Sequence, residues 1–258
     1  MMKKIVIVGY PKSGNTWLTR LVAELIGCPA KGFWNSEQEE MAAEGLSRVS
    51  EYACYKSHHQ LKELKAIEKK AYKIIYVIRD PRDITISGKN FFRSVNLVDH
   101  KKGWPKFLAS IINKLFYWFF GNSIMKKKMI NTVLHGDATV SRWCKVSWIV
   151  HLKPYLESEE ICKVTYESML DNPQKECEKI LSFLGIQRST SEIETAIENQ
   201  SFATAKKKFK ENKDAYKASF LRKGEQGYWV KNFSKKEKHI FAAEIGQELQ
   251  YLGYPVDL

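Results

Sequence analysis

The chain has 258 residues, with 42 Lys and Arg against 29 Asp and Glu for a net charge of +13, and is 44% apolar and 12% aromatic. That apolar content excludes wholesale disorder, and the length fits one large α/β domain or two small ones. The charge calls for an anionic partner or substrate: nucleic acid, an acidic membrane face, or a phosphorylated or sulfated small molecule.

After Met1-Met2-Lys3-Lys4, the apolar run from Ile5 is too short for a signal-peptide core or for a span of about 20 apolar residues, so Lys3 to Gly9 reads as a buried strand. Thr16 to Ile26 reads as a helix, Tyr52 to Lys56 as a second strand, Gln60 to Lys69 as a polar helix and Tyr72 to Arg79 as a strongly apolar third strand. The longest apolar stretch, Phe107 to Met125, is broken by Asn113 and Lys114 and too short to span a bilayer. It reads as a core helix, as a cover over an apolar pocket, or as a membrane-touching segment helped by Lys126 to Lys128. Asp137 to Leu156 reads as one helix, with Val140, Trp143, Cys144, Ser147, Trp148 and His151 at helical spacing. A fourth strand covers Glu160 to Tyr166, and a helix runs from Asn172 to Leu184 with Pro173 at its start and Gly185 as its cap. Ala203 to Lys217, rich in Lys, reads as a mobile loop or surface helix, or as a flap over an anionic ligand. A last helix, Ser234 to Leu252, opens on the capping box Ser234 to Glu237.

Strands apolar enough for burial on both faces, alternating with helices, imply a single α/β domain with a central, mostly parallel sheet flanked by helices. The five cysteines, Cys28, Cys54, Cys144, Cys162 and Cys177, are odd in number and scattered. They form no zinc motif and no disulfide framework, which implies a reduced, cytoplasmic protein with no metal site.

The first strand runs into Gly9-Tyr10-Pro11-Lys12-Ser13-Gly14-Asn15-Thr16-Trp17. This strand, glycine loop and helix make a phosphate cradle, in which backbone N–H groups and a helix N-terminus face the anion. The nucleoside-triphosphate form has Lys where this chain has Asn15, and here the cation sits earlier, at Lys12. That displacement argues against ATP hydrolysis and for a single 5′-phosphate carrying a short transferable group; an ordinary Gly/Pro turn is the plain alternative. The third strand ends at Arg79, where open α/β sheets bind ligands, and Ser87 follows two turns into the next helix. The two suit a second phosphate, against the alternative of an Arg–Asp structural pair. Arg222-Lys223-Gly224, followed by Gly227, forms another anion nest or a basic surface turn. The second strand ends in Lys56-Ser57-His58-His59.

Together these segments resemble the sulfotransferases that use 3′-phosphoadenosine-5′-phosphosulfate (PAPS), especially the cytosolic type. Pro11 to Trp17 resembles the family's P-K-S-G-T-T-W loop, with Asn15 as the departure. Tyr76 to Ser87 is similar to its 3′-phosphate segment, and Arg222 to Trp229 to its R-K-G-x-x-G-x-W element. Val164 to Met169 with Asn172-Pro173 is similar to L-x-Y-E-D-M…N/D-P, with Ser168 for the acid. Lys56 to Gln60 is similar to K-T-H-x-P, with Ser57 for Thr and Gln60 for Pro.

The resemblance implies a sulfotransferase domain over 1–258, with 95–135 as a variable acceptor-pocket or lid segment and 203–220 as a mobile basic loop. It implies that Lys12, Ser13, Gly14, Asn15 and Thr16 cradle the 5′-phosphosulfate. Trp17 stacks on the adenine, unless it is a plain core residue, and Tyr166 contacts the same base. Arg79, Ser87, Arg222, Lys223 and Gly224 hold the 3′-phosphate. PAPS is the donor and 3′-phosphoadenosine 5′-phosphate (PAP) the product, with no metal. His58 falls on the family's catalytic base, with a surface histidine as the alternative. Alternation along the strand puts Lys56 on the same face as His58 and His59 on the other. His58 takes the proton of a hydroxyl or amine during in-line transfer, while Lys12 and Lys56 stabilise the growing charge. The acceptor implied is a small molecule, apolar or aromatic from the Phe, Trp and Tyr content of 96–132. No transmembrane segment or nucleic-acid partner is expected, and peripheral membrane contact stays open. A P-loop nucleotide kinase and a nucleic-acid-binding module are the competing readings.

Overall fold

Five strands lie side by side in one all-parallel sheet, in the order β2-β3-β1-β4-β5. The computed structural model describes residues 2–35, 42–67, 72–93, 122–204, 207 and 226–256. In chain order the first elements are β1 (Lys3–Val8), α1 (Asn15–Leu25), β2 (Ala30–Phe33), β3 (Tyr52–Ser57), α2 (Leu61–Ile67) and β4 (Lys73–Ile78). Then come α3 (Pro81–Arg93), α4 (122–135), α5 (Trp148–Glu157), β5 (Cys162–Thr165), α6 (Tyr166–Asp171), α7 (Pro173–Leu184), α8 (Thr190–Asn199), α9 (Trp229–Asn232) and α10 (Lys235–Tyr251).

The chain falls into two compact units, residues 1–79 with 151–226 and residues 80–150 with 227–258. The first holds the whole sheet. Ile5 to Val8 of the central strand are buried on both faces, as a parallel sheet covered by helices requires. Ile75 and Val77 of β4, Val164 of β5 and Leu18, Leu21 and Val22 of α1 complete the core around them. In the register, Val8 pairs with Ser57 and Ile78 with Thr165. Parallel strands therefore end along one edge. The residues that follow them, Gly9, His58, Arg79 and Tyr166, leave the sheet at that edge, where open α/β sheets bind ligands.

In the second unit, the Asp80 carboxylate takes Arg82 in a two-pronged pair at 2.9 and 2.7 Å. The Arg82 guanidinium lies 3.6 Å from the Trp229 ring centroid. The buried Asp83 carboxylate accepts from the N–H groups of Gly227 and Trp229 at 2.7 and 2.9 Å, tying α3 to the start of α9. Lys126 donates to Glu237, the capping-box residue of α10, at 2.8 Å.

Three expectations need correction. The single helix over Asp137 to Leu156 is broken. Gly136 sits at φ 86°, Asp137 turns back onto Thr139, Ser141 caps a short 3₁₀ turn (Arg142–Cys144), and Ser147 caps α5. Local side-chain acceptors outcompete helical continuation there. Strand β2 adds to the expected elements, because four residues with exposed Lys31 and a central Gly32 carry too little periodicity to mark a strand. β3 ends at Ser57, so His58 and His59 lie beyond it and strand alternation does not separate them; Phe33 contacts both rings. Most of the 95–135 segment, most of the basic loop and Arg222, Lys223 and Gly224 lie outside the described residues.

Candidate active site

The loop from β1 to α1 is shaped by close approach and positive φ. A Cβ at Gly9 would lie 2.8 Å from Val77 Cγ1 and from the Val77 carbonyl oxygen. Lys12 sits at φ 74°, a left-handed conformation that costs a non-glycine residue about 1–2 kcal/mol and here turns the loop toward α1. Gly14 caps α1 at φ 100°, and a Cβ there would lie 2.6 Å from Tyr166 Cδ2. The first turn of α1 has no acidic side chain, and its leading N–H groups have no intrahelical acceptor. The Ser13 hydroxyl is buried without a partner. A buried donor beside a helix N-terminus and Lys12 fits an anion such as a phosphosulfate.

Asn15 stands in that loop, but its side chain turns to the sheet. Its Nδ2 donates to Ser57 O at 2.9 Å and to Gly9 O at 3.2 Å. Thr16 is buried beside it on the first turn.

His58 Nδ1 lies 2.7 Å from Gly9 O. A carbonyl only accepts, so Nδ1 carries the proton and the basic lone pair is on Nε2. Burial, and then the Lys56 ammonium, hold the imidazole well below the usual histidine range, against the upward pull of the Gly9 bond. His59 takes a different partner: its Nδ1 lies 2.8 Å from Ser57 Oγ.

Arg79 donates from Nη1 to Lys12 O at 3.1 Å and stacks its guanidinium 4.0 Å from the Tyr166 ring centroid. Trp17 meets the Tyr166 ring edge-on at 5.7 Å and donates from Nε1 to Gln200 O at 2.9 Å. The structure therefore gathers Lys12, Ser13, Gly14, Asn15, Thr16, Trp17, Lys56, His58, Arg79 and Tyr166 within the first unit. Ser87 lies partly buried on α3, in the second. An Arg–Asp pair of the kind considered for this segment forms between Arg82 and Asp80.

A family model described as the sulfotransferase domain matches residues 2–253. The chain belongs to the sulfotransferase family. It is 25% identical to Sulfotransferase 2A1 of Homo sapiens, over 92% of this chain and 81% of that protein. It is also 25% identical to the 3-beta-hydroxysteroid sulfotransferase of Cavia porcellus, over 98% and 85%. Among solved structures, a mouse sulfotransferase, SULT7A1, complexed with PAP shares the fold with a TM-score of 0.69 at 21% identity, covering 96% of this chain and 85% of its own. A retinol dehydratase in complex with androsterone and PAP does so at 0.59 and 17% identity, covering 95% and 80%. Membership decides between the sulfotransferase and nucleotide-kinase readings of the loop, and the α/β fold around a central parallel sheet is that of these relatives.

Motif reading missed three side chains of this sulfotransferase: Asp83, His151 and Tyr155. His151 and Tyr155 sit on α5 at i and i+4, and helical spacing alone marks them as buried, without saying what they touch. Among the described residues no group of three or more His, Cys, Asp or Glu side chains converges, and no helix is long and apolar enough to cross a membrane.

Proposed function

We propose that this sulfotransferase transfers the sulfuryl group of PAPS to the hydroxyl or amine of a small apolar or ring-bearing acceptor, with His58 as general base. The observation that carries the base assignment is the bond from His58 Nδ1–H to Gly9 O, which fixes the tautomer with its lone pair on Nε2. Sulfuryl transfer from PAPS, with PAP as product, follows from family membership. Lys12, Ser13, Gly14, Asn15, Thr16 and the N-terminus of α1 hold the 5′-phosphosulfate. Arg79 holds the 3′-phosphate. Ser87, Arg222, Lys223 and Gly224 keep the role in that contact that the resemblance gives them. Trp17 and Tyr166 form the aromatic wall for the adenine.

In the reaction the acceptor oxygen or nitrogen forms a bond to sulfur while the bond from sulfur to the 5′-phosphate oxygen breaks. His58 Nε2 takes the acceptor proton, Lys12 neutralises charge on the leaving oxygen, and Lys56 that on the sulfuryl oxygens. The apolar acceptor class is supported by relatives named for hydroxysteroids and by the androsterone bound to the retinol dehydratase. The five cysteines are free and buried, which suits the reducing cytoplasm.

The test is transfer of radiolabelled sulfate from PAPS to a panel of phenols, alcohols, amines and glycans by wild type and by His58→Ala. The expected result is transfer to steroid-like or phenolic acceptors and a loss of about 10²–10⁴ in kcat for the variant. No transfer to any class together with no PAP binding overturns the functional reading. Near-wild-type transfer by His58→Ala overturns the base alone.

A further inference from the structure

Beyond Ser57 the chain leaves the sheet, and its carbonyls lose the ladder partners that β3 gave them. Buried carbonyls need donors. Three consecutive ones find them on three side chains. Ser57 O accepts from Asn15 Nδ2 at 2.9 Å, His58 O from His151 Nε2 at 3.1 Å, and His59 O from the Tyr155 hydroxyl at 2.7 Å. The donors are themselves fixed. Asn15 shares Gly9 O with the His58 ring. The Tyr76 hydroxyl donates to His151 Nδ1 at 2.9 Å, which leaves Nε2–H as the donor toward His58, and Tyr76 stacks on Tyr155 at 4.3 Å between ring centroids. The His58 backbone is thus gripped from α1 and α5, while Gly9 O fixes its ring.

We infer that Asn15, His151 and Tyr155 form a carbonyl clamp that positions the His58 imidazole for proton transfer. Asn15 then acts through its side chain on the base, in addition to whatever its backbone gives the phosphosulfate loop. The inference rests on His58 being the base. A misplaced base lowers kcat and leaves nucleotide binding alone when the change is made at His151 or Tyr155, which carry no donor contact.

The decisive variant is Tyr155→Phe, which keeps the stack on Tyr76 and deletes one hydrogen bond. The expected result is a fall in kcat of about 10-fold with PAP affinity within about 2-fold of wild type. In the His58→Ala background, Tyr155→Phe should cost nothing further, read as residual transfer with excess enzyme and labelled donor. An equal loss in both backgrounds, or a loss of PAP affinity in step with kcat, overturns the clamp and leaves the base assignment standing. His58→Ala at wild-type rate overturns the base and the clamp with it. If residual transfer is too low to read, the His58 Cε1–H resonance decides: a shifted titration or broadening in Tyr155→Phe supports the clamp, and an unchanged signal overturns it.

Discussion

His58 Nδ1 and the carbonyl oxygen of Gly9 are 2.7 Å apart, which ties the imidazole at the end of β3 to the first residue of the phosphate loop. One bond thus links the proposed proton acceptor to the loop proposed to hold the leaving group. Any movement of the loop at Gly9 is felt at the His58 ring, and the Val77 wall behind Gly9 limits such movement.

With His58 as the proposed base, its lowered pKa sets the expected pH dependence. A base must be neutral, and burial and Lys56 push this one well below the usual histidine value of about 6.5. Activity is therefore retained as pH falls through 6.5 and is lost only below it. Lys56→Met removes a positive neighbour, so the acid limb of kcat/KM for the donor moves up toward 6.5. A wild-type limb at or above 6.5, or one that Lys56→Met leaves in place, contradicts this electrostatic picture.

His151 makes folding stability pH-dependent. Burial lowers its pKa to about 4, below the unfolded value of 6.5. Between those values the unfolded chain binds a proton that the native state does not, so stability falls as pH drops from 6.5 to 4, by on the order of 3 kcal/mol. His151→Gln keeps a donor for His58 O and does not titrate. Its curve of Tm against pH should be flatter than wild type across this window, and parallel curves would refute the assignment.

Gly14 carries two demands, the φ of 100° and the Tyr166 ring where a Cβ would go. Gly14→Ala should lower stability by about 2 kcal/mol or more and weaken PAP binding more than 10-fold. Gly185 caps α7 at φ 72° with no atom within 4 Å of where a Cβ would sit, so Gly185→Ala should cost only about 1 kcal/mol. Chemical denaturation of the pair separates the conformational cost from the ring contact; equal losses would discount Tyr166.

Arg79→Lys preserves charge but loses the planar stack on Tyr166 and the fork that reaches Lys12 O and is proposed to hold the 3′-phosphate. Calorimetry with PAP should show affinity reduced about 10- to 100-fold, with Tm little changed. Wild-type affinity would exclude Arg79 from the 3′-phosphate contact.

Much of the candidate site was legible because its parts are contiguous. The strand, glycine loop and helix around Lys12 and Ser13, the strand end at Arg79 and the strand end before His58 are each short stretches with their own hydrophobic pattern and turn chemistry. The capping boxes at Ser189 and Ser234 likewise form from local sequence, although only the second was among the expected elements. Composition gave a net charge of +13 and the need for an anion, and the resemblance of the motifs to those of the sulfotransferases gave that anion's class.

Tertiary packing decided the rest. The Asn15 amide reaches a carbonyl 42 residues away, and His151 and Tyr155 reach carbonyls 93 and 96 residues away, separations at which no periodicity survives. The tautomer of His58, the Tyr166 ring against Gly14 and the end of β3 one residue before His58 all follow from parallel strands brought into register by a shared buried core. A sequence names the residues able to donate or accept; only the packed sheet edge fixes which donor meets which acceptor, because that choice depends on the distances left after the core has closed.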